Sequence, residues 1–387
     1  MEAAERAAEY IVCTPLRRSP TFSEELAAEV YFKLENRQTT GSFKLRGATN
    51  RLLTLSPPQR EQGCVAASSG NHGAAVACAM QTQGVSGVIF VPEHTSPVKI
   101  DKIRSYDGDV RLFGTDGLDT EEHARDYATR NGMFYLSPYN DEQVIAGQGT
   151  IADELLRQNP GRFDAIFVPV GGGGLISGIA LYIKTLRPEI TIIGVEPKDS
   201  AAMYHSLAAG RRITLDSVGI FADGVAVRKV GKLPFELCRK YVDGIIRVTT
   251  DELCGGIKAI YQSTRSIVEP AGGLGMTGLL KYIHQTGCRD LTLAAINSGA
   301  NMNFERLRYV AERTRVGEKQ EALFAVAIPE IPGSLKAFCR DMVGERNITE
   351  FNYRLSNRER AHIFVGISIH NEAERHQFAD QLSRNGF

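Results

Sequence analysis

Four short stretches of this 387-residue chain carry residue types that can hold an anion and activate an amine. The first, TTGSFKLRGATN at residues 39–50, sets Lys44 beside Phe43 within a glycine-bounded turn. A lysine is ordinarily a solvated surface charge, but one desolvated near anion-binding groups loses basicity and becomes an amine able to form a Schiff base. The second, SSGNHG at residues 68–73, follows the strand-like CVAA and precedes the helix-like AAVACAMQ. Its small residues let the backbone approach a ligand while hydroxyl, amide and helix-start N–H groups converge on it. The plainer alternative is a βα turn capped by Asn71 or a serine. The third, VPVGGGGLISG at residues 168–178, leaves bare N–H groups at the positive end of an apolar helix. Such a loop suits a phosphate, and close helix–sheet packing also selects glycine. No spaced GxGxxG and no Walker lysine accompany it, which weakens dinucleotide and P-loop readings. The fourth, INSGANMN at residues 296–303, places Ser298 at the carboxyl end of a strand. Ligands lie at that edge of α/β sheets, and serine is also a common cap there. An amine, an anion cradle and a phosphate loop in one chain reinforce one another.

The elements that must position these stretches alternate between short apolar strands and helical patterns. Strands are expected at residues 29–35, 63–69, 87–92, 109–114, 133–138, 165–170, 191–197, 244–249 and 291–297. That alternation predicts α/β layers around parallel sheets, and the number of strands suggests two of them. The uncharged run at residues 165–183 approaches membrane-spanning length. Pro169 and four consecutive glycines divide it, so it reads as a buried strand, a loop and a buried helix. From about Glu321 the pattern changes to β-α-β-β-α, most of a ferredoxin-like unit that stops one strand short at Phe387. The charged stretch RYVAERTRVGEKQE before it reads as a helix end and a linker.

Lys plus Arg and Asp plus Glu number 45 each, and no basic run or aromatic–basic interleaving appears. Nothing in this balance concentrates nucleic acid or an anionic membrane, so a small-molecule partner is expected, with no nucleic acid and no membrane. The seven cysteines show no CxxC pair and no zinc spacing, and they read as buried small hydrophobes in a reducing compartment. The acidic, amphipathic start MEAAERAAEYIV does not look like a signal peptide, which makes a cytoplasmic address the expectation.

In this order and spacing, GSFKLRGA, SSGNHG, VGGGGLISG, VEPAGGLG and SGAN resemble the fold-type II pyridoxal-phosphate enzymes. FADGVAV (221–227), TRSIVEPAGG (264–273) and SGANMNFERLRYVAER (298–313) narrow the resemblance to threonine dehydratases of the biosynthetic kind. It covers essentially the whole chain. The resemblance implies two doubly wound parallel-sheet domains, tryptophan synthase beta-like, plus an incomplete ACT-like (ferredoxin-like) α+β domain. The expected boundaries are residues 1–49 and 141–316 for a large cofactor-binding domain, 50–140 for a small catalytic domain and 317–387 for the partial regulatory domain. It implies pyridoxal 5'-phosphate held by Lys44 as an internal aldimine, with Phe43 packed on its ring and Asn71 at the ring hydroxyl. Gly171, Gly172, Gly173 and Gly174, with Leu175, would cradle the phosphate, and Ser298 would face the pyridine nitrogen. Ser68, Ser69, Asn71 and His72 would receive the substrate. Lys44 would then take the Cα proton of L-threonine, and loss of the β-hydroxyl would lead to 2-oxobutanoate and ammonia, the first step of isoleucine biosynthesis. A serine at the ring nitrogen leaves it largely unprotonated, a shallower electron sink that favours β-elimination over transamination. A homo-oligomer, tetramer or dimer, and an isoleucine or valine effector are the partners implied.

Two departures matter. Relatives that racemise serine hold a divalent cation after the strand matching GVEP; here Glu196 is present but Ala202 stands where a second acid is expected, so no metal is expected. Tyr139 replaces the asparagine of those relatives and resembles threonine dehydratases, whereas the doubled Ser68–Ser69 resembles serine racemases. Turnover of L-serine is therefore expected as well. The competing readings are a serine racemase, a serine or 3-hydroxyaspartate dehydratase, and a non-catalytic amino-acid sensor working through its C-terminal domain.

Overall fold

The computed structural model describes residues 1–304, 306–317, 321–355 and 360–386. They divide into two compact units, Met1–Asn303 and Phe304–Phe387. The first unit holds strands β1 (Leu16–Arg18), β2 (Glu29–Lys33), β3 (Cys64–Ala67), β4 (Gly87–Val91), β5 (Asp109–Leu112), β6 (Phe134–Tyr135), β7 (Ala165–Pro169), β8 (Thr191–Pro197), β9 (Gly244–Val248) and β10 (Thr292–Ile296). They build two sheets, one ordered β1-β2-β10-β7-β8-β9 and one ordered β5-β4-β3-β6. Every pairing is parallel except β1 with β2. Helices cover both faces, so the central strands carry continuous apolar runs; every residue of β7 is buried. The apolar run at 165–183 divides into β7, the glycine loop and the helix Gly174–Leu186. Among the described residues no helix is long and apolar enough to cross a membrane.

Each of the nine strands expected in this unit is present, β6 as only two residues. The strand not foreseen is β1, three partly exposed residues, two of them arginine, on an antiparallel edge. So short and polar a segment has no periodicity to read; only its pairing with β2 makes it a strand. The four strands of the smaller sheet fall inside residues 50–140 and the six of the larger one outside it. Because the sheets are parallel, the segments after β2, β3, β7 and β10 emerge at carboxyl edges. These segments hold Phe43 and Lys44, then SSGNHG, the glycine loop and Ser298.

The second unit contains the helix Arg306–Gly317, then β11 (Glu321–Pro329), the helical turns Ser334–Ala337 and Phe338–Val343, β12 (Ile348–Leu355), β13 (Arg360–Ser368) and the helix Glu372–Arg384. The strands form an antiparallel sheet ordered β11-β13-β12. Phe338, Ile363, Val365 and Phe378 fill its core. This is the β-α-β-β-α pattern read from the sequence. The unit begins at Phe304 rather than at 317, because the helix Arg306–Gly317 packs on β11. The cysteines correct another expectation. Cys64, Cys78, Cys238 and Cys254 are buried, whereas Cys13 is exposed and Cys288 and Cys339 are half-buried. Cys13 and Cys288 lie in loops, and Cys339 lies within the helical turn Phe338–Val343 at the margin of the second unit's core.

A buried ionic network ties the helix Lys44–Leu53 to the large sheet. Arg46 bridges Glu35 (Nε to Oε2, 2.7 Å) and Glu154 (Nη1 to Oε1, 2.6 Å). Lys33 of β2 pairs with the same Glu154 and donates to the Thr14 carbonyl at 2.6 Å. Two cations and two carboxylates are thereby neutralised almost entirely out of solvent. Although burial opposes it, Glu35 and Glu154 hold the guanidinium firmly charged. The helix also lies flush on the helix Glu142–Gln158, where a Cβ on Gly147 would come within 2.6 Å of the Arg46 carbonyl. Removing one partner of such a network leaves buried charge uncompensated, at about 3–5 kcal/mol. Arg46→Leu is therefore expected to lose that much in urea unfolding, and a loss below about 1 kcal/mol would show the network to be solvent-screened.

Candidate active site

Lys44 is the first residue of its helix, which aims its side chain into a cavity of about 670 Å³ rather than toward bulk solvent. Its Nζ lies 3.0 Å from the Pro138 carbonyl and 5.2 Å from the centre of the Phe43 ring. Burial lowers its pKa to about 8, with Glu269 pulling in the opposite direction. Ser68, Ser69, Asn71 and His72 line the same cavity. A narrower pocket adjoins it, sharing Lys44, Asn71 and Gly172 and adding Phe43, the other three glycines of the loop, Leu175 and Ser298. The structure thus brings together all the site residues picked from the sequence.

The glycine loop follows β7 and leads into the helix Gly174–Leu186. Gly173 has φ of 95°, a left-handed conformation that disfavours any side chain. A Cβ on Gly172 would lie 2.2 Å from the Tyr139 ring, and one on Gly174 would lie 2.9 Å from the Tyr139 Cα. Close approach of this aromatic therefore requires glycine at both positions. Among the described residues the N–H groups of Gly171, Gly172, Gly173 and Gly174 have no protein acceptor. Four bare donors at a helix start form an anion site.

At SSGNHG the capping alternative fails. Asn71 is the first helical residue of Asn71–Gln83, Gly70 holds the cap position, and no side chain caps that helix. The Ser68 hydroxyl accepts from the Gly70 N–H at 3.2 Å. The Asn71 side chain instead crosses the cleft, its Nδ2 donating to Glu269 Oε1 at 2.5 Å. His72 Nε2 lies 3.0 Å from the Leu136 carbonyl, which can only accept, so the proton sits on Nε2. Burial, with Lys44 nearby, pushes its pKa down to about 3. The imidazole therefore brings no positive charge to a substrate carboxylate; what this segment offers an anion is the hydroxyls and the N–H groups of the first helical turn. Ser298 is no helix cap either, since its hydroxyl points at the Ala271 carbonyl at 3.3 Å.

Three residues escaped the sequence reading. Glu269 is buried, lines both pockets, and has its pKa raised by burial to about 7. Its signal was present: it precedes Pro270 at the cap position of the helix Pro270–Thr286, where glutamate is a poor cap and here caps nothing. Asn301 bonds Asn71, and Lys99 pairs with Asp223 at 2.9 Å across the cavity mouth. Asn301 stands in the INSGANMN stretch, where nothing local foretells its contact with Asn71, and no local pattern marks Lys99. Glu196, the acid at the position where serine-racemising relatives hold a cation, accepts from the Met203 and Tyr204 N–H groups at 2.9 and 2.8 Å. It serves as a cap to the short helix Ala202–Ala208.

Pyridoxal phosphate requires an amine of lowered basicity, an anion loop for its phosphate, and neutral hydrogen-bonding groups around its ring. Lys44, the unpaired loop donors, Asn71 and Ser298 meet that demand within connected space. Comparison with known proteins agrees. The family model for pyridoxal-phosphate dependent enzymes matches residues 8–299, and that for the C-terminal regulatory domain of threonine dehydratase matches residues 312–387. The biosynthetic L-threonine dehydratase IlvA of Burkholderia multivorans is 47% identical over 377 residues, 97% of this chain and 74% of its own length. The processed form of threonine deaminase isoform 2 from Solanum lycopersicum superposes with a TM-score of 0.79 at 37% identity, covering 81% of this chain and 89% of that one. Maize serine racemase superposes with a TM-score of 0.75 at 32% identity, covering 82% of this chain and 97% of that one. With the amine, the phosphate loop and both family matches in agreement, the chain belongs to the pyridoxal-phosphate dependent enzymes, within the threonine dehydratase branch of that family.

Proposed function

We propose that this protein deaminates L-threonine to 2-oxobutanoate and ammonia, the first step of isoleucine biosynthesis, and that it accepts L-serine more weakly. The observation that carries the reading is the Lys44 amine, held at a pKa of about 8 in the cavity that also contains the glycine loop. In this reading Gly171, Gly172, Gly173 and Gly174, with Leu175, hold the cofactor phosphate through backbone N–H groups, and Phe43 packs on its ring. Asn71 meets the ring oxygen and Ser298 the ring nitrogen. When bound, the cofactor supplies the electron sink that makes the substrate Cα–H bond breakable. Ser68, Ser69 and the first turn of the helix Asn71–Gln83 hold the substrate carboxylate. Lys44, whose lowered pKa of about 8 makes its neutral amine accessible far below the usual lysine range, takes the proton from Cα in that neutral form. The hydroxyl leaves as water, and a water returned in hydrolysis releases ammonia, so threonine divides into 2-oxobutanoate and ammonia with no net water consumed. Serine lacks one methyl, a difference worth roughly 1–3 kcal/mol in an apolar pocket.

The match of residues 312–387 to a regulatory domain supports an amino-acid effector, isoleucine or valine, acting through the second unit. A cytoplasmic homo-oligomer, dimer or tetramer, completes the proposal.

The purified, cofactor-loaded protein is expected to release 2-oxobutanoate from L-threonine, and Lys44→Ala to release none. Absence of product from the loaded wild-type protein would remove threonine as the substrate. A second expectation concerns the cofactor-free fold. The folded pKa of Lys44 lies below the model value of 10.5, so below pH 8 the fold carries the full penalty of a buried ammonium. That penalty is about 3 kcal/mol and is relieved as pH rises from about 8 to 10.5. Cofactor-free Lys44→Met should thus melt above cofactor-free wild type at pH 7, with the gap closing toward pH 10; a gap independent of pH would show that Lys44 is solvated.

A further inference from the structure

The Asn71 carboxamide is held at both ends, and a backbone group dictates which end is which. Asn301 Nδ2 lies 2.8 Å from the Thr40 carbonyl and 2.7 Å from Asn71 Oδ1. A carbonyl can only accept, so the Asn301 amide nitrogen must face Thr40, and its second N–H is the one directed at Asn71. Asn71 must therefore present its oxygen to Asn301 and its nitrogen to Glu269, where Oε1 accepts at 2.5 Å. One N–H of Asn71 Nδ2 remains without an acceptor among the described residues, in a side chain that lines the pocket with Lys44 and Ser298. Glu269 is itself held in place, since its backbone N–H donates to the Gly299 carbonyl at 3.1 Å and a Cβ on Gly299 would lie 2.2 Å from its Oε1. The charged groups acting on Glu269 are Lys44, Lys99 of the helix Pro97–Arg104, and Asp223.

We propose that Glu269 and Asn301 are positioning residues that lock the Asn71 carboxamide in one orientation, so that the cofactor ring oxygen meets an N–H donor and never the amide oxygen. This rests on the proposed place of Asn71 beside that oxygen. A donor favours the anionic form of the ring oxygen, whereas an inverted amide would set two acceptors against each other. Glu269 needs only to accept. Glutamine, with its own Oε1, can take over that task, and leucine cannot.

The test is the holoenzyme in five forms: wild type, Asn71→Ala, Glu269→Leu, Glu269→Gln and Asn301→Leu. The readouts are the absorbance of the lysine-bound cofactor from pH 6 to 9 and the equilibrium dissociation of cofactor. Loss of one ordered hydrogen bond predicts about tenfold weaker cofactor binding in Asn71→Ala, Glu269→Leu and Asn301→Leu, with the absorbance titration shifted upward in pH. Glu269→Gln should stay within about threefold of wild type in binding, because one accepted bond is preserved. A purely structural role would lower the melting temperature while leaving the absorbance titration and cofactor dissociation at wild-type values. Asn301 is exposed, so its variant carries the test if Glu269→Leu does not fold. Wild-type binding and absorbance in Glu269→Leu and Asn301→Leu, beside a weakened Asn71→Ala, would overturn the orienting role while leaving the place of Asn71 intact. Wild-type behaviour of Asn71→Ala would remove the underlying reading as well. Glu269→Gln matching Glu269→Leu would also overturn the proposal, since charge rather than accepted geometry would then be what matters.

Discussion

Everything at the site depends on where one short helix begins, and that is decided by the buried contact of Arg46 with Glu35 and Glu154. Arg46 stands two residues from Lys44, so the geometry that satisfies its guanidinium also fixes the direction in which the Lys44 side chain leaves the backbone. The bidentate fork of arginine suits this task, because a planar group bonded to two carboxylates leaves little rotational freedom. Lys33 completes the charge balance, tying β2 and the helix Glu142–Gln158 to the same cluster. A buried network of this kind adds little net stability compared with apolar packing, and its effect is better understood as specification of one arrangement.

The cavity is built on the opposite electrostatic logic. The ionic cluster neutralises each charge with a partner, whereas the cavity keeps its groups short of partners. Lys44 is desolvated, the loop N–H groups are unpaired, His72 is neutral and Glu269 binds its proton more tightly than an exposed carboxyl would. Unsatisfied donors and shifted ionisations make a fold less stable than it could be. They persist because rigid parallel sheets surround them and because a ligand bearing a phosphate and a carbonyl relieves them. Pro138 and Tyr139 contribute to this on one short segment, the first contacting the Lys44 amine and the second filling the space beside the glycine loop.

The sequence by itself determined the grammar of the fold and which stretches gather at the candidate site. Continuous apolar strands demand sheets covered on both faces, and four consecutive glycines between a strand and a helix leave no side chain to hide their N–H groups. The glycine loop could be picked from its local pattern alone, whereas Lys44, Asn71 and Ser298, each with an ordinary alternative as a surface charge or a cap, are singled out by the resemblance of their stretches to a known family. What the tertiary structure decided are relations across long separations. Asn71 meets Glu269 and Asn301, and Arg46 meets Glu154, at separations of 198, 230 and 108 residues respectively. No periodicity encodes such pairs, because side-chain direction, amide orientation and proton affinity follow from what faces a group after the sheets have packed. Glu269 before a proline reads as a poor cap until the fold sets an asparagine amide against it. The charge state of His72 likewise follows from the fold, since burial and the Leu136 carbonyl keep it neutral.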